Sequence, residues 1–401
     1  MTAFDHSNDE VQLGHLCDRV TVGHVGPMAD QYQPDGIPFL RSQDIQPFFI
    51  NTQSIKFIDE NFNSKLRKST LLTDDVVIVR TGYPGTAAVV PPELDGANCA
   101  DLVILTPGPQ LDSWFTASLL NSTWGRSAVA GNLVGVAQQH FNVGAAKALR
   151  CRIPDLPVQR RIGQIIRAYC DLIEVNTRRI AILKEIADRL FHEWFVKFRF
   201  PGHTTTTFVE TAKARTPAEW SRRTLSDLIE LRYGKALKAD QRVPGPFPVY
   251  GSSGVVGWHN NYLVEGPGIV VGRKGNVGSV HWSREAFYPI DTVFYVSTSW
   301  PKTFVFHVLQ SQQFLNSDSA VPGLNRDQAL RSSINLPPIA LAIEFHRHAN
   351  EYFQFMAKLG DINKNLRAAR DLLLPRLISG EIDLAASDRV VERISDQAAA
   401  E

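Results

Sequence analysis

The sequence predicts an α+β chain: two β-rich domains in pseudo-twofold repeat, separated by two long helices packed as an antiparallel coiled coil. Three observations point there. The same landmarks occur twice in the same order, two long stretches carry apolar residues at helical period, and 401 residues that are 44% hydrophobic can bury more than one core. The boundaries that follow are 1–152 for the first β-rich domain, 153–200 for the first helix and 201–219 for a linker. The second domain then takes 220–336, the second helix 337–384 and a flexible tail 385–401.

The repeat is read from short strings. Val76-Val77-Ile78-Val79 runs into Arg80-Thr81-Gly82-Tyr83-Pro84-Gly85, and Ile269-Val270-Val271 runs into Arg273-Lys274-Gly275-Asn276-Val277-Gly278. Each is a strand followed by an Arg-x-Gly-x-x-Gly turn. After each comes a short strand opened by an aspartate, Asp101-Leu102-Val103-Ile104 and Asp291-Thr292-Val293-Phe294. Proline-marked segments, Ile153-Pro154-Asp155-Leu156-Pro157 and Ile334-Asn335-Leu336-Pro337-Pro338, then lead into the long helices. A period this long belongs to two copies of a whole domain and not to a solenoid.

The helices are read from periodicity. Ile162, Ile166, Tyr169, Leu172, Ile173, Ile180, Leu183 and Trp194, with Phe191 beside them, define a stripe on a helix from Val158 to about Phe195. At a rise of about 1.5 Å per residue it is roughly 55 Å long. A second stripe runs through Phe345, Tyr352, Met356, Leu359, Ile362, Leu366 and Leu373, and Pro375 should kink or stop that helix. Each striped helix wants a partner, and the other one supplies it; the plainer alternative is that each packs on its own domain. The polar run between Pro201 and Trp220 reads as a linker.

Composition excludes several classes. Lys+Arg number 42 against 41 Asp+Glu, so the chain lacks the basic footprint of many autonomous DNA binders, and any nucleic-acid contact must come from local clusters or be shared with a partner. The start Met1–Glu10 has no secretory pattern, and no run of about 18 apolar residues could span a bilayer, so a cytoplasmic location without a membrane partner is expected. Cys17, Cys99, Cys151 and Cys170 show neither CxxC spacing nor a paired histidine pattern and read as ordinary thiols; no metal site is expected. No phosphate-loop lysine motif, HExxH, GxSxG or dinucleotide-binding glycine pattern occurs, nor the Asn/Asp-Pro-Pro-aromatic string of amino-methyltransferases. A binding protein without catalytic residues is the expectation, with a DNA-acting enzyme working alone and a coiled-coil interaction scaffold as the rivals.

The candidate contact residues lie in polar loops. Arg80 and Arg273, beside glycines that admit a close backbone, can bond bidentately to guanine or phosphate. Thr81, Tyr83, Lys274 and Asn276 share their turns. Arg41, Ser42 and Gln43, then Trp258, His259 and Asn260, then Asn325 and Arg326 offer donors and acceptors suited to base edges. Solvated loops and tight hairpins remain the plainer reading of each cluster.

Taken together, these strings resemble the specificity subunit of a type I restriction-modification enzyme over nearly the whole chain. Gly36-Ile37-Pro38-Phe39-Leu40-Arg41 with Asp44-Ile45 is similar to the early strand and loop of its target-recognition domains, and Asp74-Asp75-Val76-Val77-Ile78-Val79-Arg80 to the strand before their hairpin. The most specific strings are Ala187-Asp188-Arg189-Leu190-Phe191-His192-Glu193-Trp194-Phe195 and Leu374-Pro375-Arg376-Leu377-Ile378-Ser379-Gly380-Glu381-Ile382, which resemble the ends of its two spacer helices. The second spacer departs at its start, where Pro337-Pro338-Ile339-Ala340-Leu341 lacks the usual glutamine.

The resemblance implies a non-catalytic subunit that binds double-stranded DNA, each domain reading one half of a bipartite asymmetric site and the helices setting the gap. Two modification subunits would dock on the helices and supply S-adenosylmethionine for N6 methylation of adenine. Restriction subunits would bring ATP and Mg, and this chain would hold no cofactor itself.

Overall fold

The structure, a computed structural model, describes residues 10–133, 140–210, 215–314, 323–382 and 384. The expected flexible tail, 385–401, lies outside the described residues, as does 211–214 of the expected linker. The chain divides into two compact units, Met1–Val175 with Ile362–Glu401, and Asn176–Asp361. Both are mixtures of helix and sheet. The long helices, Leu156–Phe191 and Ile339–Ile378, each contribute one part to either unit.

In the first unit, Val76–Val79 offers an unbroken β-branched run, which suits a strand covered on both faces, and all of its residues are buried. It lies inside a four-stranded antiparallel sheet ordered Cys17–Val22, Leu102–Pro107, Val76–Val79, Ala87–Val89. Side chains alternate across this sheet with period two. Val76, Ile78, Val103 and Leu105 pack with Phe115, Phe141, Ile162 and Ile166, together with Leu374 and Leu377 of the second long helix. Val77, Val79, Leu102 and Ile104 face the other way, onto Leu40, Ile45 and Ile50. A three-stranded sheet places Ile37–Leu40 between Lys56–Ile58, antiparallel, and Asn98–Cys99, parallel.

The second unit repeats this topology. Its four-stranded sheet runs Glu230–Tyr233, Val293–Ser297, Gly268–Gly272, Val280–Ser283, again antiparallel throughout. Its three-stranded sheet places Phe247–Gly251 between Gly254–His259, antiparallel, and Tyr288–Pro289, parallel. Ile269, Val271 and Phe294 pack with Phe304 and Phe345, whereas Val270 and Val293 face Tyr250 and Phe287. In each unit a strand just before the long helix pairs with one at the start of the fold, Arg150–Cys151 with Val11–Gln12 and Ser333–Leu336 with Ser221–Thr224.

Several expectations about the helices need correction. Leu172 and Ile362, assigned to the apolar stripes, are 54% and 47% exposed. The second helix does not stop at Pro375 but continues to Ile378. Proline removes one N–H, but Leu374 and Leu377 beside it are buried and anchor the last turn to the first unit's core. The first helix begins at Leu156, ahead of Pro157, because a proline in the first turn has no intrahelical N–H bond to lose. It ends in a wider π-helical turn, His192–Val196, which turns both Trp194 and Phe195 inward. Trp194 and Phe191 there sit 6.0 and 5.8 Å from the Phe345 ring.

The other stripe residues grade from core to surface. Ile162, Ile166 and Leu359 are buried, whereas Tyr169, Ile173, Ile180, Leu183, Tyr352, Met356, Leu366 and Leu373 are half-buried. Asn363 is a polar residue among them, and its amide donates to the Ile173 carbonyl at 3.1 Å inside the first unit.

The 201–219 stretch is not plain coil. Phe208–Glu210 pairs with Arg215–Pro217, and the Arg215 guanidinium lies 4.5 Å from the Phe208 ring. Phe198 and Phe200 pack against Trp220 at 5.0 and 6.1 Å, so aromatic contacts order a segment that its polar composition disguises. Burial pushes the Cys17 and Cys151 thiols up to about 12, and all four cysteines are free.

The division between covered and bare helix positions predicts a contrast. Ile166→Ala should destabilise the first unit by about 2–5 kcal/mol in chemical denaturation, by opening a cavity. Leu172→Ala should stay within about 0.5 kcal/mol of the parent chain.

Candidate nucleic-acid interface

The Arg-x-Gly-x-x-Gly turns are hairpins built on one plan. Gly82 and Gly85 have φ of 83° and 89°, and Gly275 and Gly278 have 79° and 76°, values that a side chain disfavours. Gly85 N–H donates to Val79 at 3.0 Å and Gly278 N–H to Gly272 at 2.9 Å. The Thr86 hydroxyl donates to the Tyr83 carbonyl and the Ser279 hydroxyl to that of Asn276, both at 2.9 Å. Tyr83 and Asn276 therefore occupy the same tip position, and both are exposed.

The arginines that open the turns act first as pins. Arg80 donates to Asp101 at 2.6 Å and to the Phe141 carbonyl at 3.3 Å, and its side chain is only 14% exposed. Thr81 donates its hydroxyl to the same carboxylate at 3.1 Å. Arg273 donates through Nε and Nη2 to the main-chain oxygen of Asp291. The recurring aspartate thus locks each turn to the neighbouring strand, by its carboxylate in the first unit and by its backbone in the second.

In the first unit the turn borders an open cleft of about 1050 Å³. Arg41, Ser42, Gln43, Thr81 and Tyr83 all line it, so the structure brings these sequence candidates together. Asp44, itself buried, grips the Arg41 guanidinium at 2.9 and 2.7 Å and raises its affinity for the proton. Gln43, with its amide oxygen turned toward Arg41, accepts from Nη1 and Nη2 at 3.0 Å. The Ser42 hydroxyl donates to the Asp101 carbonyl at 3.3 Å. Tyr83 is 84% exposed. Gln46 and Arg126, which sequence reasoning missed, also line it, together with Thr86 and Asp101; Arg126 is exposed and has no carboxylate partner among the described residues. Much of the cleft's exposed wall is apolar, from residues such as Ile45, Pro47 and Pro84, and the Arg41, Ser42 and Thr81 donors are engaged within the protein.

In the second unit the candidates separate into two groups. Leu324 N–H donates to the Arg273 carbonyl at 2.8 Å and Lys274 bridges Gly323, which brings Arg273, Lys274, Asn325 and Arg326 together. Asn325 is occupied as a helix cap, accepting from Gln328 N–H at 3.0 Å. Trp258 and His259 lie elsewhere, ending the Gly254–His259 strand far from the turn that adjoins Asn276, and Asn260 follows them, so two of these three candidates sit on a strand and not in a loop. That strand's five steps span about 16 Å. The Trp258 ring is 53% exposed, whereas His259 accepts from Val243 N–H at 3.1 Å. Gly245 lets the backbone at Asn260 approach so closely that a Cβ would come within 2.2 Å of it.

Sequence reasoning also missed Tyr233, whose ring lies 5.5 Å from both the Arg273 and the Arg326 guanidinium. The duplicated topology carries a signal for it, because Tyr233-Gly234 ends its strand where Val22-Gly23 ends the matching strand of the first unit. Among the described residues no cluster of His, Cys, Asp and Glu could hold a metal ion, and no helix is long and apolar enough to cross a membrane.

Residues 217–365 match the family described as Type I restriction modification DNA specificity domain, which bears out the resemblance read from the sequence. No curated protein matches the chain. Among solved structures the chain is similar to the S subunit of a type I restriction-modification system from M. genitalium, at 16% identity and a TM-score of 0.60, covering 94% of this chain and 98% of that one. That likeness shows a shared fold. The HsdS subunit from Thermoanaerobacter tengcongensis is similar at 14% identity over 93% of this chain and 97% of that one, but its TM-score of 0.34 adds nothing to the argument.

The pinning role of Arg80 predicts that Arg80→Ala lowers the stability of the first unit by about 1–3 kcal/mol in thermal unfolding, because Asp101 loses its charged partner. Tyr83→Ala, at a bare tip, should leave stability within about 0.5 kcal/mol.

Proposed function

We propose, from the premise that residues 217–365 of this chain form a type I restriction modification DNA specificity domain, that the whole chain is the specificity subunit of a type I restriction-modification complex. The observation that carries this reading beyond the matched segment is the repetition. The first unit has the same strand order in its four-stranded and three-stranded sheets, and the same glycine-pinned hairpin, as the second. The two are copies of one target-recognition domain in pseudo-twofold relation, and each reads one half of a bipartite asymmetric site on double-stranded DNA.

The two long helices form an antiparallel coiled coil that sets the unread gap between the half-sites. Their partly buried stripe does the packing, and a second set of apolar residues remains bare. Leu172, Val175, Ile182 and Ile186 on the first helix, and Ile343, Phe355, Ile362 and Leu372 on the second, are all at least 40% exposed. Bare apolar residues on a long helix suit docked protein, so this set, and not only the stripe chosen from the sequence, receives the two modification subunits. S-adenosylmethionine belongs to those subunits, and ATP with Mg to the restriction subunits. This chain contributes address and spacing and no catalytic group.

If the helices are the ruler, adding one turn to each should lengthen the tolerated gap by about one or two base pairs, since a turn rises about 5.4 Å and a base pair about 3.4 Å. Methylation of a panel of split sites with graded gaps reads this out, and an unchanged preferred gap would refute it.

A further inference from the structure

We propose that Tyr233, Arg273 and Arg326 form a binding site for a backbone phosphate of duplex DNA in the second unit, an inference that rests on the DNA-binding function above and assigns this cluster its ligand. The Tyr233 ring is 53% exposed and is backed by Phe294 at 5.0 Å. Both the Arg273 and Arg326 guanidinium groups lie 5.5 Å from its centroid. One ring thus attracts two guanidinium groups, each by a cation–π contact of modest energy, from segments that Leu324 N–H joins at the Arg273 carbonyl at 2.8 Å. An oxyanion within reach of both cations would accept charge-assisted hydrogen bonds from each.

The hydrogen-bonding inventory leaves donors available. Arg273 spends Nε and Nη2 on the Asp291 main-chain oxygen, so its Nη1 group remains. Arg326 meets Asp327 through Nε at 3.2 Å, and that carboxylate is 68% exposed. Glu230 is engaged by Arg232 at 2.8 Å, and Asp291 meets Arg273 through its main-chain oxygen. The exposed ammonium side chain of Lys274 follows Arg273 directly. In the first unit the same positions are built differently: Val22 stands where Tyr233 does, and Arg80 is neutralised by Asp101. The cluster is therefore a local addition to a shared scaffold, and its chemistry, charge held by a flat ring, recognises a phosphodiester without reading a base.

The test uses the full chain and a mixed-sequence duplex, titrated with salt and followed by fluorescence anisotropy. A phosphate site acts on any sequence, so Arg326→Ala should reduce the slope of log affinity against log salt by about 0.9. Tyr233→Leu keeps the charges and should weaken binding roughly two- to fivefold, while Tyr233→Phe should match the parent. Arg189→Ala, which removes a cation from an exposed helix position, should leave the slope unchanged. Circular dichroism confirms that each variant folds. An unaltered slope in a folded Arg326→Ala chain that still binds overturns the phosphate site and leaves the DNA-binding function standing. A loss confined to one target sequence, with the mixed duplex unaffected, overturns it in favour of base contact. Failure of the parent chain to bind any duplex, both alone and with its modification subunits added, overturns the DNA-binding reading itself.

Discussion

Burial of one strand on both faces is the constraint from which each unit's candidate site follows. Val76–Val79 and Gly268–Gly272 are covered on either side, so neither can slip by one residue without moving its whole apolar set. A hairpin growing from the end of such a strand inherits a fixed origin. The aspartate on the neighbouring strand then ties the first residue of the turn, and positive-φ glycines shape the rest. What remains adjustable is the set of outward positions, above all Tyr83 and Asn276 at the tips.

That division explains why the two units can share a scaffold and differ in surface. In the first, a long loop through Arg41, Gln43 and Gln46 closes one side of a cleft, with Tyr83 and Arg126 on its margin. In the second, the corresponding loop is only the short turn at Ser252-Ser253, and the basic residues gather around Tyr233 instead. Two unlike surfaces on one framework are what the proposed asymmetric site requires. The near balance of 42 basic and 41 acidic residues over the chain fits the same picture, because contact would be concentrated in these clusters.

Much of this was legible in the sequence, for identifiable reasons. Runs such as Val76-Val77-Ile78-Val79 announce a doubly covered strand, and the repeated Arg-x-Gly-x-x-Gly string announces the turn. Helical period exposed the stripe through Ile162 and Ile166, but periodicity alone cannot say how wide a stripe is covered, so Leu172 and Ile362 were misplaced. Pro375 illustrates a local propensity overruled by tertiary contact, since its neighbours Leu374 and Leu377 are held in the core. Chain proximity also groups Trp258, His259 and Asn260 with the other loops, although Trp258 and His259 end the strand that leads away from the Ser252 turn. Tyr233 was invisible as a site residue because a strand-ending aromatic is ordinarily core, and only the arginines arriving from distant loops give it another role.

In the proposed role, this chain supplies the sequence address of a split site. The most direct test is a single-molecule methylome of the host with and without the gene for this chain. The account predicts that N6-methyladenine disappears from one bipartite motif, with both halves lost together, when the gene is absent. A methylome in which a bipartite motif is present and stays fully methylated without the gene, and no other motif changes, would contradict it.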